Sequence, residues 1–386
     1  MKRLLIYLLL LSSCISEYNA KLPASLTHLL VVQGNIIGDT VCIFNLTRTY
    51  PINNDEEDDF DWNFAISMKI VDSNGGSSEP ATALPDGTYA IQTGKLDPNL
   101  KYALQIEADG EIYRSEMLPP LDTPDIDSIS FAQQEGTGDV SIRVSTHNKA
   151  NSSGFYMWRY IEDWETRAYY NAPLTYDRDN HRVIEITLPN PRYYCWKNNK
   201  INAILIGSTN SYGGNEIVNE ELYSYPVLND RFSTLYSVIV YQMALSRSGY
   251  EYYLANRKYN QEMGGLFTPQ PSEIQGNITC ISNPDKKMIG FVDVIQNVTH
   301  KRLYIYESQV VGYNNRSSLC KELTVADLYE LFETRSYDDF YDFGFRPVSP
   351  GESANSVGTW TYEYCTDCTM NGGSKTKPSF WPNDHF

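Results

Sequence analysis

The chain has 386 residues, and 31 basic against 48 acidic side chains give a formal net charge of −17. That balance argues against nucleic acid as a partner, because phosphate binding needs clustered Lys and Arg. Hydrophobic residues make up 41%, which excludes wholesale disorder, and a chain of this length is expected to hold roughly two or three domains.

Lys2 and Arg3 precede the apolar run Leu4 to Leu11, which is far shorter than the roughly 20 residues needed to span a bilayer. This is the pattern of a secretory signal. Cleavage after Ala20 would place bulky Tyr18 where a small residue is preferred. Leu11-Ser12-Ser13-Cys14 instead resembles the bacterial lipobox, in which the Cys is lipidated and becomes the first mature residue. The expectation is a lipoprotein signal peptide at 1–13, lipid on Cys14 and a tether at 14–27. No later stretch is long and apolar enough to cross a bilayer, so lipid is the expected anchor.

From residue 28 the pattern is mainly β. Strands are expected at Leu29 to Val32, Thr40 to Leu46, Phe64 to Val71, Thr88 to Ile91, Lys101 to Ile106 and Ile112 to Ser115. Asp109-Gly110 is a hairpin turn signal. Short strands at this spacing predict an immunoglobulin-like β-sandwich over 28–120, although the immunoglobulin Cys–Trp–Cys spacing is absent. Pro119, Pro120 and Pro124 mark a linker. A larger β-rich domain is expected over 125–386, with strands at Val140 to Ser145, Gly154 to Glu162, Arg182 to Thr187, Ile201 to Ile206 and Leu235 to Leu245. Further strands are expected at Asn277 to Ser282, Met288 to Val294 and Lys301 to Glu307. Helices are expected near 248–263, stopped by Gly264-Gly265, and near 324–334, with Thr324 as N-cap.

Seven cysteines occur. With Cys14 lipidated, Cys42, Cys195, Cys280, Cys320, Cys365 and Cys368 remain, an even number that favours disulfides in an exported chain. Cys365 and Cys368 form a CxxC. Zinc would need a second ligand pair, and a thioredoxin-like role would need the motif to open a helix after a strand. The expectation is two structural bridges to different partners.

No HExxH, GxSxG, GxxxxGK[ST] or GxGxxG motif occurs. The five His, at 28, 147, 181, 300 and 385, include no i, i+4 pair. The expected reading is a non-enzyme with no cofactor and no metal. The acidic run Asp55 to Asp61 offers hard oxygens to Ca²⁺, but it lacks the spacing that wraps one ion and reads as a solvated loop. Tyr156, Trp158 and Tyr160 alternate on one strand face and read as core rather than as a stacking platform.

Several blocks resemble a family of exported bacterial lipoproteins known as domain of unknown function 4249. They begin with Gly110 to Ser115, Tyr156 to Tyr160 and Cys195-Trp196. The strongest is Gly264 to Ile278, containing Gly265, Phe267, Pro269 and Pro271. It is followed by Asn283-Pro284, Gly290-Phe291 and Lys301-Arg302, and finally by Cys365 to Cys368, Gly372-Gly373 and Phe380-Trp381. The resemblance implies a Bacteroidota-type outer-membrane lipoprotein, largely β, with an immunoglobulin-like first domain. Glu17, just after Cys14, fits export to the cell surface in that lineage. The resemblance also implies recurring cysteines at 195, 320, 365 and 368, making Cys195 and Cys320 the candidate partners of the CxxC, with Cys42 and Cys280 as further disulfide candidates. The partner it implies is a TonB-dependent outer-membrane barrel, for which this chain is a non-catalytic binding or accessory subunit. The alternatives are a structural subunit of a larger secretion or barrel-assembly machine and, third, a surface hydrolase. Gly264, Gly265, Phe267, Pro269 and Pro271 are candidate partner contacts, because the two prolines pre-order the loop and reduce the entropy lost on binding.

Overall fold

The structure, a computed structural model, describes residues 28–49, 66–135, 138–148, 154–186, 190–262, 276–312, 319–353 and 356–382, without the side chains of 202 and 259–262. The signal peptide, Cys14, the tether, the acidic loop 55–61 and the candidate contacts Gly264, Gly265, Phe267, Pro269 and Pro271 lie outside the described residues. The chain divides into two compact units, Met1–Pro119 with Pro271–Val294 and Pro120–Gln270 with Ile295–Phe386.

In chain order the strands begin with β1 (Leu30–Gln33), β2 (Ile36–Ile37), β3 (Val41–Arg48), β4 (Ser67–Asp72), β5 (Thr82–Ala83), β6 (Thr88–Gln92), β7 (Tyr102–Ala108) and β8 (Glu111–Ser115). They continue with β9 (Ile126–Gln133), β10 (Val140–His147), β11 (Phe155–Arg167), β12 (Leu174–Asp177), β13 (Arg182–Glu185), β14 (Tyr194–Ser208), β15 (Glu216–Tyr225) and β16 (Leu235–Leu245). Helix α1 (Arg247–Glu262) follows, then β17 (Ile278–Cys280), β18 (Met288–Ile289), β19 (Val294–Ile295) and β20 (Thr299–Tyr306). The chain closes with β21 (Leu323–Thr324), α2 (Val325–Phe332), α3 (Tyr337–Asp342), β22 (Phe345–Pro350) and β23 (Val357–Tyr362). The mainly β expectation holds, and both anticipated helices are present. The short helix α3 was not anticipated; it spans less than two turns, too short for a helical period to register.

The first unit packs a sheet of order β18-β1-β3-β6-β5 against one of order β17-β8-β7-β4. Period-2 alternation puts Leu30, Val32, Phe44, Leu46 and Ile91 on the inner face of the first sheet, meeting Met68, Ile70, Leu104, Ile106 and Tyr113 from the second. Asp109 and Gly110 join β7 to β8 with φ of 55° and 75°. Positive φ at both positions is what a two-residue hairpin turn matching the strand twist requires. The continuous boundary expected at 125–386 puts residues 276–294 in the second domain, but in the structure β17 pairs with β8 and β18 runs parallel to β1. Two glycines admit this return. A Cβ on Gly276 would fall 1.8 Å from the Gly290 carbonyl oxygen. Beside them the Asn277 side chain accepts from Val292 N at 2.9 Å and donates to Val292 O at 3.0 Å, standing in for a strand partner.

The second unit faces a sheet of order β15-β10-β9 with one of order β14-β11-β16-β20. β15 lies beside β14 and β20 beside β9, so the sandwich closes along both sides. Tyr156, Trp158 and Tyr160 are buried in its core as expected, and Trp158 Nε1 donates to Gln242 Oε1 at 2.9 Å. A further layer forms around Trp360, with Tyr176, Leu328, Phe340 and Phe345. There α2 starts as expected: Thr324 Oγ1 accepts from Asp327 N at 3.2 Å, and the Asp327 carboxylate accepts from Thr324 N at 2.7 Å. Such a reciprocal cap is worth about 1 kcal/mol.

Candidate functional site

A set of buried ionisable groups lies on β11. Glu162, Asp163 and Glu165 are all buried within four consecutive residues, with Trp164 between the last two. The sequence reading ends this strand at Glu162, where the acids begin; the structure carries it to Arg167, because β14 pairs with it as far as Arg167 and β16 as far as Glu165. Alternation sends Glu162 and Trp164 towards the sandwich core, and Asp163 and Glu165 to the opposite face.

Glu162 is 0% exposed. Its Oε1 accepts from Tyr236 OH at 2.5 Å and from Arg231 Nε at 3.3 Å. Its Oε2 accepts from Arg231 Nη2 at 3.1 Å, and from Tyr225 OH and Asn199 Nδ2 at 3.2 Å each. Arg231 in turn lies between two rings, 4.4 Å from the Trp164 centroid and 4.2 Å from that of Tyr225. Burial works against the Arg231 charge, but its bonds to Glu162 outweigh this and hold the guanidinium above its usual pKa. Burial, with the Glu162 charge adding to it, pushes the Tyr223 and Tyr236 hydroxyls well above 10. Both phenols therefore stay protonated, and they share a 2.7 Å hydrogen bond. Every donor the carboxylate can accommodate is supplied by the protein. Such a site holds a charge and ties β11, β14, β15 and β16 together.

The opposite face of β11 receives the C-terminal tail. Asp163 accepts from Asn198 Nδ2 at 2.6 Å and lies 3.7 Å from Arg302 Nη1. The Arg302 guanidinium sits 3.6 Å from the Phe380 ring centroid. Trp381 Nε1 donates to Glu165 Oε2 at 3.1 Å, and Tyr304 OH donates to Phe380 O at 3.0 Å. The Phe380-Trp381 pair is thus a structural anchor, and sequence reasoning missed both its partners and the role of Arg231. The available signal was a run of acids inside a strand with no turn residue to end it.

Two disulfides fasten the same tail. Cys195 pairs with Cys368 and Cys320 with Cys365. The CxxC cysteines therefore bridge to different partners, and those partners are Cys195 and Cys320. A Cβ on Gly373 would fall 2.4 Å from Cys195 Cβ, so only glycine lets the chain pass the bridge. Lys375 Nζ lies 3.4 Å from Cys368 Sγ and donates to Tyr194 O at 3.2 Å; burial lowers its pKa. Cys42 and Cys280, the further disulfide candidates, do not pair: both are free and buried. The Cys42 thiol donates to Ile37 O at 3.3 Å from the first sheet, while Cys280 lies 3.4 Å from Ser282 Oγ at the end of β17. Each is held by a group close to it in the chain, so parity does not decide the pairing.

The described histidines are separate. His147 Nδ1 lies 2.8 Å from Asp127, and His181 Nδ1 lies 2.7 Å from Asp338. Asp338 also accepts from Tyr176 OH at 2.6 Å, joining the β12–β13 hairpin to α3. Among the described residues no group of three or more His, Cys, Asp or Glu is placed to hold a metal ion, and no helix is long and apolar enough to cross a membrane. An open surface hollow of about 570 Å³ lies between Thr324, Val325 and Ala326 on one side and Pro350, Gly351 and Glu352 on the other.

Comparison with solved structures finds a biofilm-associated protein (BSP domain) at 13% identity, covering 57% of this chain and 27% of that one, with a TM-score of 0.18. It also finds trypsin-activated alpha-2-macroglobulin from Escherichia coli at 9% identity, covering 61% of this chain and 16% of that one, with a TM-score of 0.19. This chain thus spans under a third of either structure's length, and TM-scores of this size carry no argument. No curated protein matches. A family model described as "Domain of unknown function (DUF4249)" matches residues 15–301. That span contains the sequence blocks from Gly110 to Lys301, while the Cys365 to Trp381 blocks lie beyond it. With well over half of its length matched, the chain belongs to the DUF4249 family.

Proposed function

We propose that this protein is a lipid-anchored, surface-exposed outer-membrane subunit that acts by contact, as the non-catalytic binding or accessory partner of a TonB-dependent transporter. The observation that carries export is the pair of disulfides converging on one CxxC, an arrangement favoured in oxidising compartments and rare in reducing ones. The lipobox at Cys14 and the family membership point the same way. Action by contact is supported by the use made of the buried acids: Glu162, Asp163 and Glu165 are spent on Arg231, Arg302 and Trp381, and so hold the sandwich and its tail. The first unit, with its two facing sheets, is proposed to be immunoglobulin-like.

A tether confines the protein to the membrane surface and raises its effective concentration against a barrel in the same membrane, so a modest interface suffices. The test has two arms. Cys14→Ser should move the protein from the membrane to the soluble fraction; continued tight membrane association of that variant refutes the anchor. Affinity purification of the native chain from detergent-solubilised outer membranes should recover a TonB-dependent barrel in near-equal amount. Recovery of the chain alone, under conditions that keep other outer-membrane complexes intact, refutes the partnership.

A further inference from the structure

The two outward faces of the first unit differ in kind. On the sheet of order β17-β8-β7-β4, one outward row reads Lys69, Gln105, Arg114, Thr279, and the next reads Ser67, Glu107, Ile112. Charges of both signs are interspersed there, as on an ordinary solvated face. The other sheet carries none. Its outward rows, set by the strand register, are Val41 with Gln92, then Ile43 with Ala90 and Thr82. Next come Gln33 and Asn45 with Thr88. The last row is Ile289, Val31 and Thr47. In a chain of net charge −17 with 20% charged residues, no described strand residue facing outward on this sheet is charged. At its centre Val41 and Ile43 are 49% and 47% exposed, while their strand neighbours Cys42 and Phe44 are buried in the core. Depletion of charge around central apolar residues is the compositional mark of an interface core.

We infer that this face is the contact surface for the membrane-embedded partner, a protein presenting an uncharged, partly apolar surface of its own. The inference rests on the proposed lipid anchor and partner. Chain length bounds where the occupant lies. The anchor at Cys14 leads into β1, which lies within this sheet, and the chain from Cys14 to Leu30 spans at most about 55 Å when fully extended. The face therefore stays within reach of the membrane that holds the partner. A charge-free face also lets a strongly acidic protein approach without desolvating an unpaired charge, which interfaces tolerate poorly.

The test uses the lipidated full chain in its native membrane. Ile43→Lys and Val41→Lys place a charge at the centre of the face, and Val218→Lys on β15, where Val218 is 46% exposed, is the control at matched exposure. All three positions are exposed strand sites, so the variants should melt within a few degrees of the parent, which is checked first. The expected result is at least a tenfold loss of co-purifying partner for Ile43→Lys and Val41→Lys, with none for Val218→Lys. A photo-cross-linking residue at position 43 should join the chain to that same partner. Undiminished recovery with both face variants overturns this surface while leaving the partnership intact. Cross-links only to lipid or to a second copy also overturn it, assigning the face to the membrane or to self-association. Absence of any partner for the parent chain removes the partnership and this inference together.

Discussion

Removing the Arg231 side chain tests whether the β11 network holds the second unit together. Arg231→Ala deletes a fork that reaches Glu162 at 3.1 and 3.3 Å and a cation held between the rings of Trp164 and Tyr225. Glu162 would remain fully buried, with three neutral donors in Tyr225, Tyr236 and Asn199. Losing one partner of a buried ion pair costs about 3–5 kcal/mol. For a unit of this size each kcal/mol lowers Tm by roughly 2–4 °C, so the expected shift is roughly 6–20 °C. The assay is thermal and urea unfolding followed by near-UV circular dichroism, with the disulfides intact. Glu162→Gln should cost a similar amount. The double variant Glu162→Gln with Arg231→Met should cost clearly less than the sum, because neither charge is then stranded. An Arg231→Ala variant within about 1 kcal/mol of the parent, or strictly additive effects in the double variant, would refute the account.

Non-reducing peptide mapping should recover Cys195–Cys368 and Cys320–Cys365, with Cys42 and Cys280 alkylated only after unfolding; a Cys365–Cys368 peptide would contradict this. The closed loops, with sequence separations of 173 and 45, correspond to about 5 and about 4 kcal/mol in the chain-entropy model, so Cys195→Ser should be at least as destabilising as Cys320→Ser. Gly373→Val should disrupt the tail beside Cys195, seen as faster proteolysis of the C-terminal segment, whereas Gly94→Ala, at a site with open space and no left-handed φ, should leave proteolysis unchanged. Asp338 is held below its usual 3.8 by hydrogen bonds from Tyr176 and His181. A depressed carboxylate stabilises the fold above its unfolded pKa and loses that contribution as pH falls through the folded one. Asp338→Asn should therefore lower Tm at neutral pH, and the gap from the parent should close at pH values below 3.8; a gap that persists there would refute this.

Local pattern alone made several features legible. Hydrophobic alternation located β3, β6, β7 and β10 to within a residue or two, and β16 coincides with the expected Leu235 to Leu245, because period 2 is a property of consecutive side chains. The Asp109-Gly110 turn and the Thr324 cap were readable for the same reason: each is satisfied by atoms within a few residues. The CxxC was readable as two separate bridges.

Other features depend on groups far apart in the chain. Whether Glu162 is a solvated acid or a buried ion depends on Arg231, Tyr225 and Tyr236, which lie more than 60 residues away. Cys42 and Cys280 look like the other four cysteines in sequence, yet which thiols meet depends on how the sheets face one another. The return of β17 and β18 to the first unit turns on Gly276 passing against Gly290 and on Asn277 replacing a strand partner. Nor does any single strand betray the charge-free face, since it exists only once β1, β3, β5, β6 and β18 are in register. Local periodicity encodes which side of a strand is apolar, but free energy is decided by what packs against that side, and those partners are chosen by tertiary pairing.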